Sequence, residues 1–389
     1  MKIGRLAFFA YLSFAFDSAL KFSVGIQLHL GILSILFVNL FFFLLKPNKL
    51  LSPLKKDFSF SIFILYSIVT GMVMNTPGVA IISTYLFITI NVFLFTFYTA
   101  QYLDKKVFYY FQIILIITGL IQYLAFKIFG IQISFIDPEH YQKGSSVSHR
   151  LRGFFVEPNW FAIAISFNSI LLIGKDFMGF VSRHSILFGF TILMIILNGT
   201  LATIGLLAII YTLPVIKKRP LKGLLLGFLM LSVLVGTIMF RGAINQKEGG
   251  QSILNHASRA LPLLRVAEHQ WQANSLVLLF GNGLGSWGTE AVANRLSVLV
   301  FEKKPSARDG SELPVFIFEL GLVGVCLLLF DLMIGYFRCN RDDFHLRGGY
   351  LLFFACLVLY PTLKFWMYMP YYFYLRRFSF ETHRIKLYS

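Results

Sequence analysis

Residues 313–336 read LPVFIFELGLVGVCLLLFDLMIGY, an almost continuous apolar run that is interrupted only by Glu319 and Asp331. A helix that crosses the hydrocarbon core of a bilayer needs about 20 mostly apolar residues. The run meets that length, and it predicts a membrane-spanning helix. Comparable runs cover roughly residues 6–22, 26–45, 58–74, 79–100, 107–129, 154–173, 185–199, 200–216, 223–240, 349–363 and 365–375. The whole pattern predicts an all-α, polytopic integral membrane protein with about twelve transmembrane helices.

The composition excludes the common soluble classes of protein. Only 14% of the 389 residues are charged and 57% are hydrophobic, whereas a soluble domain is about 25% charged. An ordinary soluble enzyme, a secreted disulfide scaffold and a disordered protein are therefore excluded. Cys326, Cys339 and Cys356 lie in or beside apolar runs without the spacing of metal ligands. We expect no disulfide, no metal and no cofactor.

The basic residues predict how the helices are oriented. The formal net charge is +17, and most Lys and Arg residues lie in short connections between apolar runs. The positive-inside rule accounts for this pattern better than a nucleic-acid partner does. We predict one integral domain over residues 1–389, with cytoplasmic N- and C-termini. Segment 241–312 then becomes a long extracytoplasmic loop that contains helices, and a loop of this length is usually functional or disordered.

The first candidate site lies at a predicted membrane boundary, where residues 149–160 read HRLRGFFVEPNW. Two interpretations have equal weight here. Pro158 suits the first turn of a helix and Glu157 suits its positive end, so the segment is a capped helix start with snorkelling arginines. Alternatively, Arg150 and Arg152 bind one phosphate together with the backbone N–H groups of the helix start.

The second candidate site is the loop 241–312. A helical pattern extends from about residue 257 to 279, with Asn255 or Ser258 as caps and with Arg265, Glu268 and Gln272 on one polar face. Residues 281–288, GNGLGSWG, lack the preceding strand and βαβ context of a dinucleotide site. We interpret these glycines as a tight turn that ends the loop helix.

The third candidate site is Glu319. A carboxylate inside a membrane helix is costly, so it is either functional or buried in a pair with an arginine. Asp17 and Asp331 lie near the ends of apolar runs, and we attribute them to that boundary position.

These three segments resemble the O-antigen polymerase and O-antigen ligase superfamily of bacterial membrane glycosyltransferases. The stretch RGFFVEPNWFA at 152–162 is similar to the family's Pro-Asn-x-Phe-Ala motif at the mouth of a central helix. Ser258-Arg259 with GNGLG at 281–285, and ELGLVG at 319–324, are similar to two later motifs. Ligases usually carry a His-Asn pair before the last motif, whereas residues 308–312 read RDGSE, which favours the polymerase branch.

The resemblance implies glycosyl transfer at the outer face of the bacterial inner membrane, from a glycan on undecaprenyl pyrophosphate to a hydroxyl of a fresh lipid-linked repeat unit. The product would be O-antigen of lipopolysaccharide, or a related polysaccharide such as a capsule. The resemblance also implies a chain-length regulator and a flippase as partners. Cations must stabilise the leaving pyrophosphate, and arginines can do this without a metal. The catalytic candidates are Arg152, Arg259 and Glu157. The substrate-binding candidates are Arg150, Arg241, Arg265 and Asn159. The base that takes the acceptor proton stays open among His256, Asp309, Glu312 and Glu157.

Two alternative functions remain at this stage. An O-antigen ligase would transfer the finished glycan to lipid A core. A flippase or another transporter of lipid-linked oligosaccharide belongs to a different class, which favours internal repeats and charged residues within the helices.

Overall fold

The computed structural model describes most of the chain. The described residues are 3–16, 21–23, 27–45, 57–75, 79–99, 105–131, 150–155, 158–174, 177–218, 220–221, 225, 227–228, 232, 252–297, 302–303, 311–339, 344–359 and 369–380. Among the predicted site residues, Glu157, Arg241 and Asp309 lie outside these ranges. His256 and Arg259 lie in a described helix, but their side chains are outside the description.

The described chain is almost entirely helical. The strands among these residues form one short antiparallel pair, β1 (Lys21–Ser23) and β2 (Gln27–His29). The helices of the first half are α1 (Ile3–Leu12), which continues as a 3-10 turn (Ser13–Phe16), α2 (Leu30–Leu45), α3 (Phe58–Met74), α4 (Val79–Thr99), α5 (Lys105–Phe129), α6 (Pro158–Ile173), α7 (Phe177–Arg183), α8 (Ser185–Asn198) and α9 (Leu201–Lys218).

The helices of the second half lie in the segment 252–297 and after it. They are α10 (Ser252–Gln272), α11 (Ser275–Phe280), a π-helical turn (Trp287–Ala291), α12 (Glu312–Arg338), α13 (Phe344–Leu359) and α14 (Met369–Phe380). The predicted helical pattern at 257–279 is therefore two helices. The first begins at Ser252, earlier than the predicted caps, and the second follows the cap Asn274, whose side chain accepts the N–H of Leu276.

Among the described residues, two helices are long and apolar enough to cross a membrane, Lys106–Phe129 and Glu312–Arg338. A third candidate is the pair α6 and α7, which is bent by 100°. Shorter apolar helices among the described residues, such as α2 and α3, have 10–17 residues. The all-helical prediction is thus confirmed apart from the short strand pair. The count of about twelve spans and the position of the loop outside the cell stay predictions.

The outer surface is rich in apolar side chains, as expected where lipid is the solvent. Leu44, Phe337 and Ile186 are each more than half exposed. Polar groups meet between the helices instead: the buried Asn168 amide donates to the Gln112 side chain at 2.7 Å and to the Phe108 carbonyl. Such bonds join helices that have no hydrophobic driving force to associate in lipid. These features are compatible with a membrane protein.

The helices define two ends of the bundle. Phe60 at the start of α3 and Phe108 at the start of α5 both contact α14, through the rings of Phe373 and Tyr374. We call this the Arg376 end, after the residue that lies one turn farther along α14. The far ends of α3 and α5 lie at the other end of the bundle, since 14 residues of helix rise about 21 Å. There Asn75, directly after α3, donates to the Leu284 carbonyl, and we call this the Gly281 end.

Candidate functional site

The mouth of α6 lies at the Gly281 end and is built around Arg150. Its Nε donates to the Asn198 carbonyl at 2.9 Å, and its Nη2 donates to Thr200 Oγ1 at 2.6 Å and to Asn159 Oδ1 at 3.3 Å. Asn198 and Thr200 flank Gly199, whose φ of 67° ends α8 in the left-handed region. Arg150 and Asn159, both predicted substrate-binding residues, are therefore brought together.

Asn198 also fixes the loop that carries Arg150 and Arg152. Its amide donates to the carbonyls of Leu151 and Pro158, at 2.6 and 2.7 Å. The N–H of Arg152 donates to Gln122 Oε1 on α5 at 2.9 Å, and the Arg152 side chain is buried. Helix α6 begins at Pro158, as predicted from its missing N–H. Snorkelling does not describe Arg152, because its side chain lies inside the bundle rather than at its surface.

The second and third candidate segments cross each other at a break in α12. Gly321 has φ 63° and ψ −171°, which interrupts the helix one turn after it passes Phe318. Gly281, the cap that ends α11, lies directly against it, and a Cβ on either glycine would overlap the other segment's backbone. The prediction that this glycine run ends a helix is confirmed. What the run contacts was not predicted.

The break at Gly321 removes helical N–H partners from carbonyls of α12, and backbone N–H groups of the glycine run replace them. The N–H of Asn282 donates to the Phe318 carbonyl and the N–H of Gly283 to the Glu319 carbonyl, both at 2.9 Å. From α3, the Tyr66 hydroxyl donates to the Leu320 carbonyl at 2.7 Å. Carbonyls near a helix break need such substitutes when they are buried. The segment 275–297 is thus fastened to α12 by its backbone.

Glu319 is fully buried at this crossing. Its Oε1 accepts the N–H of Trp287 at 3.2 Å, so the carboxylate holds the start of the π-helical turn. The indole of Trp287 packs edge-on against Phe318 in a small apolar cluster with Val266 and Val315. Glu312, in the first turn of α12, is also fully buried.

Several buried polar atoms surround this part of α12. Within the part of the chain that the structure describes, Ser286 Oγ, Trp287 Nε1, Ser311 Oγ and Gln270 Oε1 make no hydrogen bond. The Gln270 amide donates with its nitrogen to the Ile317 carbonyl at 2.7 Å, so only its oxygen is unsatisfied. Unsatisfied buried atoms are rare and call for an explanation. Together they offer one donor, one acceptor and two hydroxyls that can do either.

Arg265 binds the backbone of the segment 275–297 and does not line an open site. Its Nη1 donates to the carbonyls of Arg295 and Ser297, at 3.0 and 3.3 Å. The cation thereby binds carbonyls that follow the π-helical turn, where carbonyls lack helical partners. Glu268 and Gln272, predicted on the same polar face, are exposed.

The structure also contains a charged cluster that sequence reasoning missed. At the Arg376 end, the guanidinium of Arg376 binds both carboxylate oxygens of Asp57 and, at 2.5 Å, Asp331 Oδ1. Ser59 donates to Asp331 at 2.7 Å, and the Tyr372 hydroxyl donates to the other Asp331 oxygen. The attribution of Asp331 to a boundary position was wrong, because this residue is fully buried and paired. An ionisable residue inside an apolar run was the signal available.

Comparison with known proteins adds no family assignment. A scan of the chain against protein-family models gives no match, and a search of curated proteins gives none.

Proposed function

We propose that this chain is a membrane glycosyltransferase that joins undecaprenyl-pyrophosphate-linked repeat units into a surface polysaccharide, of the O-antigen polymerase type. One observation carries the proposal. Two of the three motifs that resemble that superfamily, 281–285 and 319–324, cross backbone to backbone at Gly281 and Gly321. The third motif, at the mouth of α6, lies toward the same end of the bundle. Motifs spread over some 170 residues of sequence thus lie toward one end of the bundle, which supports a common role.

The proposed step is a displacement at the anomeric carbon of the donor. A hydroxyl oxygen of the acceptor repeat unit bonds to C1 of the reducing-end sugar of the donor chain. The C1–O bond to pyrophosphate breaks, and undecaprenyl pyrophosphate leaves with the electron pair. The hydroxyl proton passes to a carboxylate or histidine of the protein. The donor is already activated, so the step needs no nucleotide sugar.

The cations of the site would stabilise the departing pyrophosphate. Arg152, buried at the mouth of α6, and Arg259, on α10, have this role in the proposal, because arginine stays charged and binds phosphate oxygens in pairs. Arg150 would support them from its polar setting with Asn159 and Thr200. Arg265 would act indirectly, since its contacts position the segment after the π-helical turn. Arg241, outside the described residues, keeps its predicted substrate-binding role.

The sugar would lie on the other side of this site, against α12. Ser286, Ser311 and the Trp287 indole present unsatisfied polar groups of the kind that bind hydroxyls. The neighbouring buried carboxylates of Glu312 and Glu319 would repel a phosphate but accept hydrogen bonds from a sugar. We therefore place the diphosphate toward the arginines and the acceptor sugar toward α12. Glu312 would then be the described base candidate nearest the acceptor, with His256, Asp309 and Glu157 as the others.

The test is synthesis by the purified protein in liposomes that contain a defined undecaprenyl-pyrophosphate-linked repeat unit. The expected product is a ladder of glycans on gels. Arg152→Ala and Arg259→Ala should each lower the rate by about 100-fold or more, as for loss of one donor that stabilises developing charge. Arg152→Lys should retain part of the activity, because it keeps the charge but not the paired donors.

The matched control is Arg5→Ala, which removes an exposed arginine from α1 and should leave the ladder unchanged. Full activity of both Arg152→Ala and Arg259→Ala would overturn the arginine mechanism. A wild-type protein that transfers glycan only to lipid A core would instead be a ligase. One that moves the lipid-linked unit across the bilayer without making any ladder would be a transporter.

A further inference from the structure

A groove opens on the lipid-facing side of the bundle, far from the proposed reaction site. It lies between the first half of α5 and the junction of α7 with α8, and its volume is about 430 Å³. Tyr109 lines it one residue after Phe108, whose ring contacts Tyr374. The groove is therefore at the Arg376 end, whereas Arg150 and Gly281 lie at the opposite end.

The walls of the groove are aliphatic and aromatic and face outward. Ile113 and Ile117 form the α5 side, and Ile186 and Phe190 form the α8 side. Ile186 is 76% exposed, Ile117 49% and Phe190 42%. Apolar surface of this extent on two adjacent helices suits hydrocarbon chains and would be costly in water.

One rim of the same groove is polar and cationic. Arg183, in the last turn of α7, lines this rim together with His184, Ser185 and Tyr109. The Arg183 Nε donates to the Gly179 carbonyl at 3.1 Å, which holds the exposed side chain at the rim. The His184 ring packs against the rings of Tyr109 and Phe180, with centroids 5.5 and 5.2 Å away. Among the residues that line the groove, none is acidic.

We propose that this groove binds one anionic phospholipid of the surrounding leaflet, with its phosphate at Arg183 and an acyl chain along Ile117 and Ile186. Arginine pairs well with phosphate oxygens, and the Tyr109 and Ser185 hydroxyls can donate to the headgroup. Apolar walls alone would accept any acyl chain, and a cation alone would accept any soluble phosphate. The combination selects an amphiphile that carries a negative charge. This inference is independent of the glycosyl-transfer proposal.

The test is lipid retention by the full-length protein, measured by native mass spectrometry after titration with phosphatidylglycerol or phosphatidylcholine. We expect one molecule of phosphatidylglycerol to bind with clear preference. Arg183→Gln should weaken that binding roughly tenfold, since it removes a charge-assisted contact, and should leave phosphatidylcholine binding unchanged. Arg338→Gln is the matched control, because it removes another exposed arginine of the Arg376 end that does not line the groove.

A second variant tests the walls independently of the charge. Ile117→Trp should fill the groove and weaken retention of phosphatidylglycerol while Arg183 stays in place. Equal retention of both lipids by the wild-type protein would overturn the proposal, as would equal losses in Arg183→Gln and Arg338→Gln. Preferential binding of undecaprenyl phosphate over phosphatidylglycerol would also overturn it, since the site would then belong to the lipid carrier.

Discussion

The two ends of the bundle join distant parts of the chain by different physical means. At the Arg376 end, charged side chains connect the start of α3 and the second half of α14 with the second half of α12. At the Gly281 end, backbone groups connect the segment 275–297 to the break in α12 at Gly321. One joint depends on charges that are costly to separate inside a bilayer. The other depends on the absence of side chains, because only glycine permits so close an approach of two backbones.

The two halves of α12 differ in the same way. The half of α12 near Asp331 is locked to two other helices by a network in which each charge has an opposite charge beside it. The half near Glu319 is irregular, and buried polar atoms of Gln270, Ser286, Trp287 and Ser311 around it make no hydrogen bond among the described residues. Reactive sites require irregular backbone and available polar groups, and a rigid scaffold is needed to hold them. The comparison therefore favours the Gly281 end as the functional end.

The largest expected effect is at the backbone crossing. Gly321→Ala places a Cβ against the Leu279 carbonyl and forces alanine into a conformation that it rarely adopts. The strained backbone costs about 1–3 kcal/mol, and the overlap adds about 1–3 kcal/mol more. We expect the segment 275–297 to detach, with a lower unfolding temperature in detergent and faster proteolysis within that segment.

The control for this change is Gly189→Ala in α8, where an added Cβ meets no atom within 4 Å. It should not lower the unfolding temperature. If Gly321→Ala is as stable and as resistant to protease as Gly189→Ala, the crossing does not fasten the segment.

The next largest loss of stability is expected in the charged cluster of Asp57, Asp331 and Arg376. Arg376→Gln leaves Asp57 and Asp331 without their cation, and breaking a buried ion pair in this way costs about 3–5 kcal/mol. Thermal unfolding in detergent measures the loss. Arg377→Gln, one residue along, removes a guanidinium that lies over the Phe97 ring at 4.1 Å, a contact for which about 0.5–2 kcal/mol is expected. Equal destabilisation by the two variants would show that the charged cluster contributes no more to stability than the Arg377 side chain does.

The smallest effect expected is at the mouth of α6. Asn198→Ala removes the amide that donates to the buried carbonyls of Leu151 and Pro158, which costs about 1–3 kcal/mol. The loop with Arg150 and Arg152 should loosen, so under the proposed function glycan synthesis falls by more than stability alone explains. Asn294→Ala, whose exposed amide bonds only to a carbonyl of its own turn, should change neither quantity. Unaltered synthesis by Asn198→Ala would mean that this loop needs no such support.

Local features of the helices could be predicted because their signals lie within a few residues. Pro158 begins α6 and Gly281 ends α11, as the rules for helix ends lead one to expect. The break at Gly321 was not predicted, since a single glycine in an apolar helix is usually tolerated. Its cause lies some 40 residues earlier, in the segment that crosses it.

The sequence by itself determined that this chain is helical, apolar and suited to a lipid environment, because run length and hydrophobicity are properties of neighbouring residues. It also marked Arg150, Asn159 and Glu319 as chemically notable. Only the tertiary structure decided that Arg150 binds Thr200, that Asp57 binds Arg376, and that Gly281 lies on Gly321. Partners so distant in the chain are selected by the packing of whole helices, and no local pattern of residues encodes which two segments that packing brings together.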